Sequence, residues 1–196
     1  MKNLVFTSAG DNTNFDKLWL DDNREYDVWV TYYGDDDSRY KRYKSKVDYI
    51  SKRKGFKFQN FHHLYKTKRK EIDKYDRFWI VDDDIVMSTN DINKMFKMAE
   101  TYGFWICGPT FDKKSKISHT VTKHVPGLAF RYTNYVEVNV PCMSKQALDN
   151  LMEIFNPELI GWGIETFYIW ANGWRDRTKY ALIDEVSCIN PHDNTK

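Results

Sequence analysis

Three consecutive carboxylates that follow a short apolar run constrain this chain more than any other feature. Residues 78–81 are apolar enough for a strand buried on both faces, and Asp82, Asp83 and Asp84 follow at once. Adjacent anions repel one another and cannot stay charged in an apolar core without a counter-charge. We therefore expect the strand to end at Val81, with the three acids at its carboxyl edge and facing a cleft.

The acid triplet also suggests a cation site. Side chains alternate along a strand, so Asp82 and Asp84 would share one side while Asp83 points away. A divalent cation would relieve their repulsion, and hard oxygen ligands suit Mg²⁺ or Mn²⁺. A solvated acidic turn between a strand and a helix would give the same pattern, and the residues alone leave both interpretations open.

The charges are distributed unevenly along the chain. Its 196 residues are enough for one domain with a sizeable core, and the net charge of +2 is too small to indicate nucleic-acid binding. Residues 39–74 contain fourteen Lys or Arg against three acids, whereas residues 11–37 contain nine acids against two bases. A basic segment therefore precedes the acid triplet, and it would attract phosphates where the triplet attracts a metal.

The cysteines and the apolar runs bear on the compartment. Cys107, Cys142 and Cys188 are scattered and include no CxxC pair, which argues against disulfides or a zinc site and for buried thiols. Residues 4–6 are too short a run for a signal peptide, and no stretch has the length of a transmembrane helix. We therefore expect a cytoplasmic protein without a membrane span, in the host cytoplasm if the protein is viral.

Strand-like and helix-like segments alternate along the chain. The predicted strands cover residues 4–6, 26–33, 46–50, 78–81, 104–107, 129–140 and 180–186. The predicted helices cover residues 15–20, 58–75, 89–102, 145–155 and 164–170, with Ser88 and Ser144 as N-caps. Acidic residues 35–37 are predicted to form a solvated turn, and residues 112–124 a polar loop. Without repeats or a linker, this order predicts a single α/β domain with helices on both faces of the sheet.

In their order and spacing, these features resemble the GT-A class of nucleotide-sugar glycosyltransferases. The matching segments are the strand and loop at 4–10, the DxD motif at 82–84, residues 136–141, the turn at 161–165, and a His after the last strand. The match covers nearly the whole chain, and the chain looks most like the small glycosyltransferase domain that chloroviruses encode. The resemblance implies a GT-A (Rossmann-like), mixed and mainly parallel sheet in a single domain. About residues 1–87 would bind the nucleotide and about residues 88–196 the acceptor.

The resemblance also implies an activity. A hexosyltransferase of this class moves a sugar from a UDP-sugar to a glycan or glycoprotein acceptor and depends on Mn²⁺ or Mg²⁺. A bound metal and cationic side chains would stabilise the diphosphate that leaves. No nucleic-acid partner is expected. The polar tail after the last strand would suit a domain taken from a longer, multidomain chain.

The donor site follows from the resemblance residue by residue. Asp82 would hold the ribose and help to bind the metal, Asp84 would ligate the metal, and Asp83 would support the nucleotide. His192 would complete the metal site. The remaining donor contacts implied are Thr7, Ala9 and Gly10 at the base and ribose, Lys54, Lys57 and Asn60 at the nucleotide, and Trp162 at the sugar.

Glu165 is the catalytic candidate, because family members place a carboxylate against the acceptor at this turn. Inverting relatives often carry Glu-Asp there, with the Asp as general base, whereas this chain has Glu165 followed by Thr166. Glu165 could be the base itself, or it could orient the acceptor or the donor sugar in a retaining enzyme. The stereochemical outcome therefore stays open, and Glu137 and Asp184 are the reserve candidates for a base.

Two other functions fit part of the sequence. A haloacid-dehalogenase-like phosphatase also carries a DxD motif with an aspartyl nucleophile, but on its first strand, whereas about 75 residues precede the motif here. A nucleic-acid-binding module could use the basic, Tyr-rich residues 39–74. That second interpretation leaves the acid triplet unexplained.

Overall fold

A computed structural model describes residues 1–159, 161 and 163–192. Within these residues, eight strands form one mixed sheet with the order β3-β2-β1-β4-β7-β5-β8-β6. The strands are β1 (Asn3–Ala9), β2 (Tyr26–Tyr32), β3 (Tyr49–Lys52), β4 (Arg77–Ile80), β5 (Ile106–Phe111), β6 (Phe130–Tyr132), β7 (Cys142–Ser144) and β8 (Tyr180–Cys188). This arrangement confirms the predicted α/β class with a mainly parallel sheet.

The strand directions bring most of the carboxyl ends to one edge of the sheet. β1 pairs in parallel with β2 and β4, β2 with β3, and β5 with β8. β7 is antiparallel to both β4 and β5, so these two strands run the same way on either side of it. β6 is antiparallel to β8 at the outer edge. In open sheets of this kind, ligands bind beyond the carboxyl ends of the parallel strands.

Seven α-helices in the described residues cover both faces of the sheet. They are α1 (Phe15–Leu18), α2 (Asp37–Lys44), α3 (Lys57–Thr67), α4 (Arg69–Ile72), α5 (Thr89–Thr101), α6 (Lys145–Ile154) and α7 (Ile164–Ala171). The predicted caps are confirmed. The hydroxyl of Ser88 accepts the N–H of Asp91 at 3.1 Å, and that of Ser144 accepts the N–H of Ala147 at 3.2 Å. No described helix combines the length and the hydropathy that crossing a membrane would require.

Strand β4 is buried on both faces, as its unbroken apolar run predicts. Phe78 and Ile80 pack into an apolar cluster with α3, α6 and α7, whereas Trp79 and Val81 pack into the opposite cluster with α1 and α5. All four side chains are completely buried. Arg77 at the start of β4 is also buried, and its guanidinium donates to the carbonyl of Phe104 at 2.8 Å. The next polar residue is Asp82, where the chain leaves the core. Cys107, Cys142 and Cys188 are buried free thiols, as predicted.

Two predicted elements are wrong. The single helix predicted over 58–75 is divided into α3 and α4, because Lys68 adopts φ −127° and ψ 35°, outside the helical region. The long strand predicted over 129–140 is reduced to the three residues of β6, and an irregular segment follows. There the hydroxyl of Thr133 accepts the N–H of Tyr135, a local bond that competes with strand pairing.

The acidic run at 35–37 begins a helix that was not predicted. The Asp36 carboxylate accepts the N–H groups of Ser38 and Arg39, so it caps the N-terminus of α2. Strand β7 was not predicted either. The remaining elements shift by a few residues. In particular β3 begins at Tyr49 and β5 runs from Ile106 to Phe111, later than predicted.

Candidate functional site

Two adjoining cavities open at the carboxyl edge of β1 and β4, and they share Phe56, Lys57, Asp82 and Asp84. The β1-side cavity has a volume of about 540 Å³ and the α7-side cavity about 340 Å³. The β1-side cavity is further lined by Ser8, Tyr33, Lys54, Gly55 and Asp83. The α7-side cavity is further lined by Phe58, Lys116, Ser118, Glu137, Val138, Asn139, Leu159, Gly161, Ile164 and Asn190.

The acid triplet leaves the sheet as a turn rather than as a strand. β4 ends at Ile80, the N–H of Asp82 still donates to the carbonyl of Asn139 at 2.9 Å, and Asp83 and Asp84 form a turn. Strand alternation is therefore not what orients these side chains, and that part of the prediction is corrected. Asp82 and Asp84 nevertheless line both cavities, whereas Asp83 lines only the β1-side cavity.

Asp83 is tied to the loop after β1. Its Oδ2 accepts the N–H of Gly10 at 2.8 Å, and its backbone carbonyl accepts the N–H of Asn14 at 2.8 Å. Burial raises the pKa of Asp83 to about 7; the bond from Gly10 opposes this shift, and the charges of Asp84 and Asp82 add to it. The protein thus limits the number of negative charges that stand together at this edge.

Gly10 is held at close range to Tyr33. A Cβ at position 10 would lie 2.6 Å from the Tyr33 hydroxyl oxygen, closer than non-bonded atoms approach. The absence of a side chain at Gly10 therefore lets the Tyr33 ring reach the wall of the β1-side cavity.

Lys57, the first residue of α3, lies at the junction of the two cavities. Its Nζ lies 2.8 Å from Oδ1 of Asp82 and donates to the carbonyls of Val138 at 2.7 Å and Asn139 at 3.1 Å. An ammonium has three N–H donors, so these contacts use all of them. Burial lowers the pKa of Lys57, and the carboxylate of Asp82 opposes that shift. A buried cation at a helix N-terminus also opposes the helix dipole, so it depends on these partners.

Side chains hold the segment from Val136 to Val140 in place of a strand ladder. Besides the bonds from Lys57, the indole of Trp79 donates to the carbonyl of Val140 at 2.9 Å, and the hydroxyl of Tyr168 donates to the carbonyl of Val136. This segment carries Glu137, which is 8% exposed and lines the α7-side cavity.

Glu137 and Glu165 form a pair of interacting carboxylates beside that cavity. Burial raises the pKa of Glu137; His119 and the hydroxyl bond from Tyr135 oppose the shift, whereas the charges of Glu165 and Asp82 add to it. Glu165 lies in the first turn of α7, after Gly163 at φ 87°. Its Oε2 is buried and has no hydrogen-bond partner among the described residues. The neighbouring residues Gly161 and Ile164 line the α7-side cavity.

The predicted metal ligands come from two parts of the chain that meet here. Val86, just after the triplet, exchanges backbone hydrogen bonds of 2.9 Å with Ile189, and Asn190 lines the α7-side cavity. His192 follows two residues later and is exposed. Among residues 1–159, 161 and 163–192, no group of three or more His, Cys, Asp or Glu side chains is arranged to hold a metal ion. Asp82 and Asp84 both line the two cavities, and Oδ1 of Asp82 contacts Nζ of Lys57 at 2.8 Å.

The other residues predicted to contact the nucleotide sugar differ in whether they reach the cavity. Thr7 and Ala9 are completely buried, so their side chains do not reach the cavity. Asn60 is also buried, and its Nδ2 donates to Oγ of Ser8 at 2.9 Å and to the carbonyl of Gly55 at 3.0 Å. Lys54 lines the β1-side cavity and pairs with Asp35 at 2.7 Å. Trp162 lies outside the described residues.

Comparison with known proteins gives matches at the level of structure alone. No family model matches the chain, and neither does any curated protein. S. aureus TarS 1-349 superposes with a TM-score of 0.66 at 12% identity, over 97% of this chain and 60% of that one. TarS 1-349 in complex with UDP-GlcNAc gives 0.63 at 11% identity, over 96% and 57%. A197 from STIV gives 0.52 at 13% identity, over 98% and 95%.

TarS is a GT-A glycosyltransferase. The chain adopts the GT-A fold. It spans 37% to 60% of the length of the TarS chains it matches, and it is nearly coextensive with A197. At 11% to 13% identity these matches concern the fold, which the resemblance of the sequence predicted correctly.

The GT-A fold gives no support to the phosphatase alternative, since the triplet follows the fourth strand in chain order and not the first. Four of the fourteen basic residues of the other alternative pair with the acidic segment before them. The ion pairs are Arg39–Asp11, Arg42–Asp16, Lys52–Asp37 and Lys54–Asp35. Part of the basic charge is therefore neutralised locally around α2, β3 and the start of α3.

Several residues at the GT-A cleft were not predicted to take part, among them Ser8, Tyr33 and Ser118. Ser8 and Tyr33 line the β1-side cavity, and both follow from the fold because each stands at the carboxyl end of a parallel strand. Ser118 comes from the loop predicted over 112–124, where no pattern distinguishes it from its polar neighbours. The first two could have been found by extending the strand-end argument from the triplet to β1 and β2.

Proposed function

We propose that this chain is a glycosyltransferase that moves a hexose from a UDP-sugar to a glycan or glycoprotein acceptor. The observation that carries the proposal is the pair of cavities joined at Asp82 and Asp84, at the carboxyl edge of a GT-A sheet. Solved structures of similar fold include TarS in complex with UDP and with UDP-GlcNAc. A donor with two chemically different parts would suit two cavities that share one acidic wall.

In this proposal the β1-side cavity takes the nucleotide. Tyr33 and Ser8 line it beside the cationic Lys54, so an aromatic face, a hydroxyl and a positive charge are all available to uridine and phosphate. The sugar would lie toward Asp82, and the acceptor would enter the α7-side cavity. In the transfer, the bond from the sugar C1 to the phosphate oxygen breaks, and a bond from C1 to the acceptor oxygen forms.

The acceptor hydroxyl must lose a proton in this transfer. Glu165 is the first candidate to take it, because its Oε2 has no hydrogen-bond donor among the described residues. Glu137 is the second candidate, because it lines the α7-side cavity and interacts electrostatically with Glu165. Asp184 is unsuited, since it pairs with Arg131 at 2.7 Å and accepts the N–H of Val125 at 2.8 Å.

A divalent cation is part of the proposal. Asp84 would hold Mn²⁺ or Mg²⁺, with Asp82 and His192 as the further ligands that the resemblance implies. When bound, such an ion supplies positive charge for the diphosphate that leaves. The chain contributes the oxygen donors and holds Asp82 in place through Lys57.

Calorimetric titration of UDP and of UDP-sugars, in Mn²⁺ and in excess chelator, tests the proposal. We expect UDP to bind, and to bind more tightly in Mn²⁺. CDP, ADP and GDP serve as matched controls, because they differ from UDP only in the base. Absence of UDP binding under both conditions would contradict the proposed function. Equal UDP affinity in Mn²⁺ and in chelator would contradict only the proposed role of the metal ion.

A further inference from the structure

A third cavity lies at the opposite end of β8 from the cleft described above. It has a volume of about 380 Å³, and we call it the aromatic cleft, lined by Tyr132, Thr133, Asn134, Trp174, Arg175 and Arg177. Residues 174–177 precede β8, whereas Asn190 of the α7-side cavity follows it. Nine strand residues at about 3.3 Å each put the two sites on the order of 30 Å apart. The aromatic cleft is therefore a separate site.

Two large aromatic side chains are exposed around this concavity. Trp174 is 57% exposed and Tyr132 is 54% exposed, although the Tyr132 ring also contacts Phe130, with the ring centroids 5.4 Å apart. Covering the exposed parts of these rings with a ligand would remove a large apolar area from water, and folding alone does not provide this stabilisation. Exposed aromatic groups gathered around one cavity are typical of a binding surface.

The cationic groups of the aromatic cleft are not neutralised by acids in the described part of the chain. The guanidinium of Arg175 lies 5.2 Å from the centroid of the Trp174 ring. Neither Arg175 nor Arg177 makes an ion pair with any acid in the described part of the chain. Asp176, between them, is engaged elsewhere: it lies 3.5 Å from Nζ of Lys179 and accepts the hydroxyl of Thr178 at 2.9 Å. Two guanidinium groups thus stand beside exposed rings and suit a carboxylate, sulfate or phosphate.

We propose that the aromatic cleft binds an anionic glycan, meaning a chain of sugars with carboxylate, sulfate or phosphate groups. The apolar faces of the sugar rings pack on Trp174 and Tyr132, and the acidic groups pair with the two arginines. Thr133 and Asn134 supply short polar side chains that match sugar hydroxyls. The choice of a glycan rests on the proposed function, since a glycosyltransferase acts on such polymers.

A single-stranded nucleic acid is the main competing ligand, because bases also stack on aromatic rings. Proteins that bind such strands follow the phosphate backbone with an extended positively charged groove. The lining of the aromatic cleft has only two cationic side chains, and Asp176 separates them in sequence. Two positive charges are therefore too few to follow the phosphate backbone of a nucleic acid, but they are enough to pair with a few acidic sugars.

The test is calorimetry with a heparin hexasaccharide, using neutral chitohexaose as the uncharged control. We expect the heparin hexasaccharide to bind, and Trp174→Ala and Arg177→Gln each to weaken it about tenfold, as for a buried anchor of an interface. Trp170→Ala is the matched control, since Trp170 is 60% exposed and does not line the cleft. It should change the affinity by less than about twofold. Melting temperatures establish that each variant is folded.

Several results would overturn this proposal. They are no heparin binding, equal binding of chitohexaose, an equal loss in Trp170→Ala, or tighter binding of an oligothymidylate than of heparin. A dimer in sedimentation velocity that Trp174→Ala abolishes would assign the cleft to a second copy of the chain. UDP is titrated into the same samples, so a failure of the proposed donor binding is seen separately from a failure at the aromatic cleft.

Discussion

Lys57 and Asp82 form a charge pair in which the lysine has no N–H donor left for a ligand. Nζ lies 2.8 Å from Oδ1 of Asp82, and two backbone carbonyls take its other donors. The lysine side chain is 10% exposed and the aspartate 39% exposed, so the ammonium is enclosed while the carboxylate still reaches the cleft. The resemblance predicted Lys57 as a nucleotide contact. Its bonds instead indicate a positioning residue that joins α3, the end of β4 and the segment at Val138.

Lys57→Met should therefore loosen the cleft as well as destabilise the fold. The change removes the Lys57 donor from the carbonyl of Val138 and one of the two donors from the carbonyl of Asn139, which keeps the N–H of Asp82. It also leaves Asp82 without its counter-charge. We expect the free energy of unfolding in urea to fall by about 2 kcal/mol, less than for a fully buried pair because Asp82 is partly solvated. Amides at 137–140 should exchange faster than those of β4 in hydrogen-exchange measurements.

Lys54→Met is the control for that experiment. Lys54 also belongs to the cleft and pairs with Asp35, but the two side chains are 67% and 89% exposed. Exposed pairs contribute little, so its unfolding free energy should change by less than about 0.5 kcal/mol. Equal effects of Lys57→Met and Lys54→Met would show that the enclosed pair has no special structural role.

Glu165→Gln should abolish transfer and leave donor binding nearly intact. The amide keeps the size of the side chain but cannot accept the acceptor's proton, and a general base contributes roughly 10²–10⁴ in rate. UDP affinity by calorimetry and the melting temperature should stay near those of the unmodified chain. If Glu165→Gln transfers sugar at the full rate, Glu165 is not the base. Glu137→Gln then becomes the decisive variant.

Glu137 should make stability depend on pH in a defined direction. Burial raises its folded pKa above the ordinary 4.5, so ionising it costs more in the folded than in the unfolded state. This residue's contribution is therefore most favourable below the unfolded pKa and is lost as pH rises through the folded pKa. Glu137→Gln resembles the protonated acid at every pH. Its melting temperature should rise relative to that of the unmodified chain as the pH rises from below the unfolded pKa of Glu137 through its raised folded pKa. A difference that stays constant with pH would contradict the expectation.

Asp84→Asn should cost more Mn²⁺ affinity than Asp83→Asn. Asp84 lines both cavities, whereas Oδ2 of Asp83 is occupied by the N–H of Gly10, a bond that an Asn oxygen can keep. Manganese binding is followed by electron paramagnetic resonance, with and without UDP, so the result does not depend on transfer activity. Similar losses for the two variants would mean that the triplet binds the ion as a unit.

The sequence predicted the strand of the triplet well because its signal is local. Four apolar residues followed by three acids admit few solutions, and the structure has the strand, its burial on both faces and the cleft beside it. The caps at Ser88 and Ser144 were predictable for the same reason, since each depends on residues within one turn.

The segment around Glu137 could not be predicted in this way. Its alternating valines are typical of a strand, yet bonds from Trp79, Lys57 and Tyr168 hold it, and these residues are far away in sequence. The predicted nucleotide contact of Asn60 meets the same difficulty. Nothing near Asn60 in the sequence reveals that its side-chain amide donates hydrogen bonds to Oγ of Ser8 and to the carbonyl of Gly55. Long-range side-chain bonds to backbone leave no periodic pattern.

Strand β7 limits how this protein can move. In the described part of the chain, β7 lies between β4 and β5 and pairs with both, so the β1 side and the α7 side of the cleft belong to one continuous sheet. Bending this sheet between the two sides would break ladder hydrogen bonds on both sides of β7 at once. We therefore expect any closure over the proposed donor to come from loops. The polar loop at 112–124, which contributes Lys116 and Ser118 to the wall of the cleft, is the segment to monitor by relaxation measurements on the microsecond-to-millisecond timescale.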